Sequence, residues 1–156
     1  MKRLNQFIIE KLKLSRNNKV QEYHYHPKTR DELLILVKEL IEERGMDADL
    51  NDIDTSKMTN MSFLFDELKF NGDISNWDIS NVKDMTCMFY DSDFNGDISN
   101  WNVSNVKSMY KMFTRSKFTG ENGDLSKWNV SNVEKNFAMF RFSPLEKNPP
   151  KWYKSI

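Results

Sequence analysis

The eight residues FNGDISNW occur twice in this chain, ending once at Trp77 and once at Trp101. The match continues beyond them, since WDISNVKDMTCMF from Trp77 is followed by WNVSNVKSMYKMF from Trp101 and WNVSNVEKNFAMF from Trp128. The first two copies start 24 residues apart, and the third starts 27 residues further on because it follows the longer loop TGENGD. A degenerate copy begins at Ile53. A fixed period in this range predicts units that stack because none can bury its apolar face alone.

Each unit has two halves with different hydrophobic periods. In the first half, Trp101 and Val103 alternate with polar residues, as a strand with one buried face requires. In the second half, apolar residues follow at spacings of three and four, which predicts one face of a short helix (Val106, Met109, Met112 and Phe113). Serines between the halves lie where helix N-caps belong (Ser56, Ser80, Ser104 and Ser131).

These halves predict an α/β solenoid of repeats about 24 residues long, built from short parallel strands and short helices and capped by an N-terminal helix. The solenoid is predicted over residues 46–143, with units starting near 50, 74, 98 and 125. The capping helix is predicted over 29–45, with Thr29 and Glu32 as a capping box. Residues 144–156 are expected to cover the C-terminal end with Trp152 and Tyr153.

The unit W-x-V-S-N-V-x-x-M-x-x-M-F resembles the BspA-like branch of leucine-rich repeat proteins, over roughly residues 49 to 143. The resemblance implies a right-handed parallel-strand solenoid that serves as a binding scaffold and contains no catalytic residue. Asn136 departs from the pattern, because it stands where other units have Met85 and Met109. The first residues of the chain also resemble leaders of BspA-like proteins encoded by phages of gut bacteria.

The tryptophans Trp77, Trp101 and Trp128 fall on the inward side of the predicted strands. Exposing them as a sugar-binding row would also expose Val103, because Trp101 and Val103 lie on the same face. We therefore predict a buried tryptophan ladder rather than a carbohydrate site.

The outward positions of the same strands form two polar columns, which are the candidate partner-binding face. The first column holds Asp52, Asn76, Asn100 and Lys127, and the second holds Asp54, Asp78, Asn102 and Asn129. Strands stacked about 4.8 Å apart would present each column as a ladder. The alternative is that the asparagines serve only to bond their neighbours and hold the stack together.

Residues 1–14 predict an amphipathic helix, and residues 15–28 a linker. The helix has an apolar stripe flanked by basic residues (Leu4, Phe7, Ile8 and Leu12). The stripe either docks on the body of the protein or acts as an address that binds a partner groove. Contact with a membrane surface is a third possibility.

Positive and negative residues both number 23, so the formal net charge is zero, which argues against a general nucleic-acid binder. The charge is nevertheless uneven. Residues 47–97 hold twelve acidic and three basic residues, a net of −9, and residues from 100 onward hold ten basic and four acidic, a net of +6. No apolar run is long enough to span a bilayer. The sequence shows no export signal, which predicts a protein in the cytoplasm or inside a phage particle.

The sequence offers no pattern for catalysis or metal binding. The acidic segment DADLNDID lacks the glycine and glutamate that an EF-hand requires at its sixth and twelfth positions. His24 and His26 have no third ligand at a suitable spacing, and Cys87 has no feature of a nucleophile. We therefore expect no enzymatic activity, no cofactor and no metal.

The function predicted from these features is a non-catalytic, protein-binding repeat scaffold whose partner is another protein. One alternative is a phage virion or packaged structural protein addressed by its N-terminal helix. Another is an intracellular inhibitor of a host enzyme, in which the acidic flank mimics a nucleic acid.

Overall fold

A computed structural model gives the structure of the protein and describes residues 23–155. This range contains one α-helix, α1, at Arg30–Arg44, and two 3₁₀ helices, at Leu125–Lys127 and Pro144–Glu146. Pairing between extended segments is limited to isolated parallel bridges, such as Asp49 with Asp73. The helix predicted over residues 1–14 and the first part of the predicted linker lie outside the described residues.

The predicted α/β solenoid of short strands and short helices is wrong. Residues 46–143 contain single bridges in place of strands, and their only helical segment is the 3₁₀ helix at Leu125–Lys127. The description as leucine-rich repeats, which depends on regular strands, is wrong with it. The repeats instead consist of successive turns whose backbone groups bond to the equivalent groups of the next repeat.

Asx turns occupy the positions where strand ends and helix N-caps were predicted. In such a turn, a side-chain oxygen accepts the backbone N–H of the residue two positions later. Asp97 accepts from Ser99 at 2.9 Å, and Asn102 accepts from Ser104 at 3.2 Å. The predicted N-cap role of Ser104 and its counterparts is therefore wrong, because these serines donate to the turn and no helix follows them.

Left-handed residues replace the predicted short helices. Each repeat places two non-glycine residues at positive φ, four positions apart, as at Cys87 (53°) and Asp91 (48°). Backbone N–H groups alternate between two acceptors in this segment. Met88 donates three residues back to Met85 at 3.2 Å, whereas Cys87 donates to Tyr110 of the next repeat at 2.9 Å. A helix is excluded because half of its donors are used between repeats.

The core is a set of ring columns that run through all the repeats. Phe65, Phe89, Phe113 and Phe140 stack in order, with ring centroids 5.4, 5.4 and 5.7 Å apart. The three tryptophans are only 4%, 4% and 5% exposed (Trp77, Trp101 and Trp128). Their indole N–H groups donate to carbonyls of the preceding repeat, as Trp101 does to Ile74 at 3.2 Å. The prediction of a buried tryptophan ladder is confirmed.

The duplicated segment FNGDISNW builds the contact between consecutive repeats. Gly72 packs so closely that a Cβ atom there would lie 2.0 Å from the backbone oxygen of Ala48. The side chain of Asn71 accepts the N–H of Asn95 at 2.7 Å, and Asn95 accepts that of Thr119 at 2.8 Å. Both copies therefore make the same links to the next repeat, which explains why their letters are the same.

The two ends of the stack need opposite hydrogen-bonding partners. In the second halves of the repeats, each repeat donates N–H groups to the next, so in these segments the first repeat leaves carbonyls and the last leaves N–H groups. At the first end, Arg30 of α1 donates twice to the carbonyl of Ser62, at 3.0 and 2.8 Å. At the last end, the N–H of Phe142 donates to the carboxylate of Glu146 at 2.9 Å. Trp152 adds an indole bond to the carbonyl of Leu125 at 2.7 Å.

Candidate protein-binding surface

The first polar column lies on the exposed surface of the stack. Asn76, Asn100 and Lys127 are exposed, and Asp52 is half-buried. The amide side chains of Asn76 and Asn100 have no hydrogen-bond partner among residues 23–155. Their polar groups are therefore directed to solvent and are free to bond to another molecule.

The second polar column is engaged within its own repeats. The carboxylate of Asp78 accepts both the N–H and the hydroxyl of Ser80, at 2.9 and 2.6 Å. The equivalent Asn102 accepts the hydroxyl of Ser104 at 2.7 Å. Asp54 and Asn129 accept the backbone N–H groups of Ser56 and Ser131. These side chains hold the turns in shape, so the second column is a rigid support beside the first.

A different set of asparagines bonds the repeats to each other. The side chains of Asn81, Asn105 and Asn132 donate to serine carbonyls of the preceding repeat, at 2.8, 2.7 and 2.6 Å. The structural ladder considered as an alternative role for the outward columns is formed by these residues. The side chains of Asn76 and Asn100 take no part in it.

Residues 23–26 extend both columns by one position. Tyr25 forms a parallel bridge with Ile53, which places this part of the predicted linker on the first repeat. His24 Nδ1 lies 3.2 Å from a carboxylate oxygen of Asp52, and His26 Nδ1 lies 3.1 Å from one of Asp54. Each histidine thus pairs with a carboxylate, and residues 23–155 hold no cluster of three or more potential metal ligands.

Arg44, at the end of α1, binds the first residue of the exposed column. Its guanidinium donates to both carboxylate oxygens of Asp52, at 3.0 and 2.9 Å. Burial would raise the pKa of Asp52, but the hydrogen bonds and charge of Arg44, followed by those of His24, hold that pKa below its usual value. The ionised carboxylate therefore ties α1 to the first repeat.

We expect this tie to weaken in acid. A folded-state pKa below the unfolded value of about 3.9 means that Asp52 stabilises the fold above that pH and loses its effect as the pH falls through the folded pKa. Asp52→Asn should lower the unfolding free energy by about 1 kcal/mol near neutral pH, and the difference from the original protein should shrink below about pH 4.

Urea unfolding at several pH values measures this difference. The matched control is Asp97→Asn, which keeps the side-chain oxygen that accepts from Ser99. A difference for Asp52→Asn that stays constant from neutral pH to about pH 2 would contradict the argument.

The second halves of the repeats present exposed aromatic rings that the sequence analysis missed. Phe63, Phe137 and Phe142 are 45%, 52% and 62% exposed, and Tyr110 stacks on Phe137 with a centroid distance of 6.2 Å. The available signal was the alignment of the repeats, in which these residues fall outside the buried columns. Interpreted as short helices, these segments predicted only a buried apolar face.

The stacked turns show that this is a repeat protein. A match to a family model identifies the family. The model described as "Mycoplasma protein of unknown function, DUF285" matches residues 37–152. The match covers most of the chain, so the chain belongs to this family. No curated protein and no solved structure matches the chain significantly. Among residues 23–155, no helix has the length and apolar character needed to cross a membrane.

Proposed function

We propose that the protein is a non-catalytic repeat scaffold that binds another protein through its first polar column. The observation that carries the proposal is that Asn76 and Asn100 are exposed and that their side chains form no hydrogen bond to residues 23–155. The backbone that displays these amides is fixed by Asx turns, so binding costs little backbone freedom and more of each new hydrogen bond appears as affinity.

The two ends of the column differ in chemistry. At one end the carboxylate of Asp52 is already bound by Arg44, whereas at the other end Lys127 is exposed and basic. This difference favours one orientation of a partner, because an acidic group of the partner would be attracted to the end that holds Lys127. The resemblance of the repeat unit to BspA-like proteins supports the same class of binding scaffold.

The alternatives drawn from the sequence have less support. Packaging in a phage particle depends on residues 1–14, which lie outside the described part of the chain. Inhibition by nucleic-acid mimicry depends on the acidic residues, several of which are used within the fold, as Asp52 and Asp78 are.

A comparison of two double variants tests the proposal. Asn76→Ala with Asn100→Ala removes the free amides, whereas Lys57→Ala with Lys83→Ala is a control at exposed positions outside the column. A partner captured from the native host by the original protein should be captured equally by the control. It should bind the asparagine variant at least about tenfold more weakly, since two interfacial bonds of about 1 kcal/mol each are lost.

Thermal unfolding should be unchanged in both variants, because neither set of side chains bonds to any residue in the range 23–155. Equal capture by the two variants would contradict the role of the first column. Loss of capture in the control alone would place the binding site elsewhere on the surface.

A further inference from the structure

The second halves of the four repeats form four parallel rows, residues 61–67, 85–91, 109–115 and 136–142, which we call the turn face. Backbone hydrogen bonds join each row to the next, as from Phe63 to Thr86 at 3.0 Å and from Lys111 to Phe137 at 3.1 Å. Rows bonded in this way lie about 4.8 Å apart. The turn face is therefore one continuous surface that crosses the whole stack.

Charge on the turn face changes sign at its midpoint. The first two rows carry acids (Asp66, Glu67 and Asp91), and the last two carry bases (Lys111, Arg115 and Arg141). Asp91 and Arg115 meet across the middle at 3.7 Å, which neutralises the border within the chain. On the outer rows, Glu67 and Arg141 form no ion pair with any residue in the range 23–155.

The acidic end of the turn face has an unsatisfied carboxylate. Atom Oδ1 of Asp66 is buried and has no hydrogen-bond partner in the described part of the chain. Burial, followed by the neighbouring charges of Glu67 and Asp91, raises the pKa of Asp66. Lys38 offsets part of this shift, and a basic side chain brought from outside would relieve the repulsion further.

Exposed aromatic rings lie at both ends of the turn face, with Phe63 on the first row and Phe137 and Phe142 on the last. A two-fold axis parallel to the rows, through the midpoint of the face, would place the first row of one copy against the last row of another. Acids would then face bases, and rings would face rings, in both halves of the contact. A parallel arrangement would instead place acids against acids and bases against bases.

We propose that the turn face binds a second copy of this chain, forming an antiparallel dimer with two-fold symmetry. Glu67 of one copy pairs with Arg141 of the other, and Phe63 packs against Phe137. A surface that is complementary to itself under a two-fold rotation is what an isologous interface requires. The proposal is independent of the first polar column, which belongs to the first halves of the repeats.

The dimer should be weak and sensitive to salt. Four rows about 4.8 Å apart span roughly 15 Å, which corresponds to an interface at the small end of the range, below about 1,200 Å² in total. Partly exposed ion pairs supply much of the orientation, and salt screens them. We therefore expect a dissociation constant in the micromolar range.

Sedimentation velocity on the full chain, from about 1 to 300 μM, tests the proposal. The original protein should pass from monomer to dimer in low salt and shift toward monomer in about 1 M salt. Glu67→Arg and Arg141→Glu should each weaken the dimer at least about tenfold, and the double variant should restore it because the pair is re-formed with reversed charges. Arginine is tolerated at position 67, since Arg115 occupies the equivalent site of a later repeat with φ 60°.

Lys57→Glu, which alters a charge outside the turn face, is the control and should leave the dimer unchanged. Circular dichroism melts check that each variant is folded. If one charge-reversal variant fails to fold, the salt dependence of the original protein and the result for the other variant still test whether the dimer forms through the turn face. A protein that is monomeric at every concentration would overturn the proposal. So would a dimer indifferent to Glu67→Arg and Arg141→Glu.

Discussion

Deletion of residues 77–100, one full period, is expected to leave a shorter protein that still folds and unfolds cooperatively. The groups that come together are equivalent to those removed: the carbonyl of Leu50, which accepts from Trp77, would accept from Trp101 instead. Deletion of residues 77–88, half a period, is expected to abolish folding. It would bring polar turn positions onto the ring columns and expose apolar ones.

Urea unfolding monitored by circular dichroism distinguishes the two deletions. The full-period variant should give one transition with a smaller dependence on denaturant, because less surface is exposed on unfolding. The half-period variant should give no transition. If both deletions fold, or if neither does, the repeats are not equivalent units of the structure.

Trp101→Ala is expected to lower the unfolding free energy by about 3–5 kcal/mol, because truncation leaves a cavity in the middle of the ring columns. Trp101 is 4% exposed, and its loss also leaves the carbonyl of Ile74 without its indole donor. Trp152→Ala is the matched control. Trp152 makes the same kind of bond, to Leu125, but it is only partly buried at the end of the stack, so the loss should be smaller.

Fluorescence of the original protein provides a second check on the tryptophans. Three of the four rings are buried, so the emission should be shifted to short wavelength and largely protected from a soluble quencher. Emission like that of free tryptophan, or a cost for Trp101→Ala no larger than for Trp152→Ala, would contradict the buried ladder.

Features that depend on burial could be predicted from the sequence. The spacing of 24 residues, the inward tryptophans and the apolar positions follow from hydrophobic pattern, and the structure buries them. The helix at Arg30–Arg44 follows from its own caps, since the side chain of Thr29 accepts from Glu32 and Gly45 ends the helix with φ 98°. These features are local, or they depend only on which residues avoid water.

The strands and short helices were predicted wrongly because turn chemistry overrides hydrophobic period here. The first three repeats each contain three sites where a polar side chain precedes its hydrogen-bond donor by two residues, as in Asp73-Ile-Ser75, Asp78-Ile-Ser80 and Asp84-Met-Thr86, and the last repeat contains two. This spacing is typical of Asx turns, which compete with regular secondary structure for the backbone. This spacing is present in the sequence, but its serines were interpreted as helix N-caps.

The turn face and the pairing of residues 23–26 were beyond the sequence for a different reason. Both depend on hydrogen bonds between repeats, such as Cys87 to Tyr110 and Asp54 to Tyr25. Positive φ at residues such as Phe63 is unfavourable in isolation and persists only because those bonds require it. At these positions the backbone conformation is set by hydrogen bonds to the neighbouring repeat. Local propensity alone therefore predicts a different conformation there.

The unlike ends of the stack bear on why the protein stays a discrete molecule. In the second halves of the repeats, an uncovered first repeat would offer carbonyls and an uncovered last repeat would offer N–H groups, so two such copies would join head to tail. Contacts of this kind have no symmetry that closes them, and they propagate into filaments. Arg30 occupies the carbonyl of Ser62, and Glu146 occupies the N–H of Phe142, both within the same molecule. The two end segments are thus a barrier to fibre growth as well as a cover for the core.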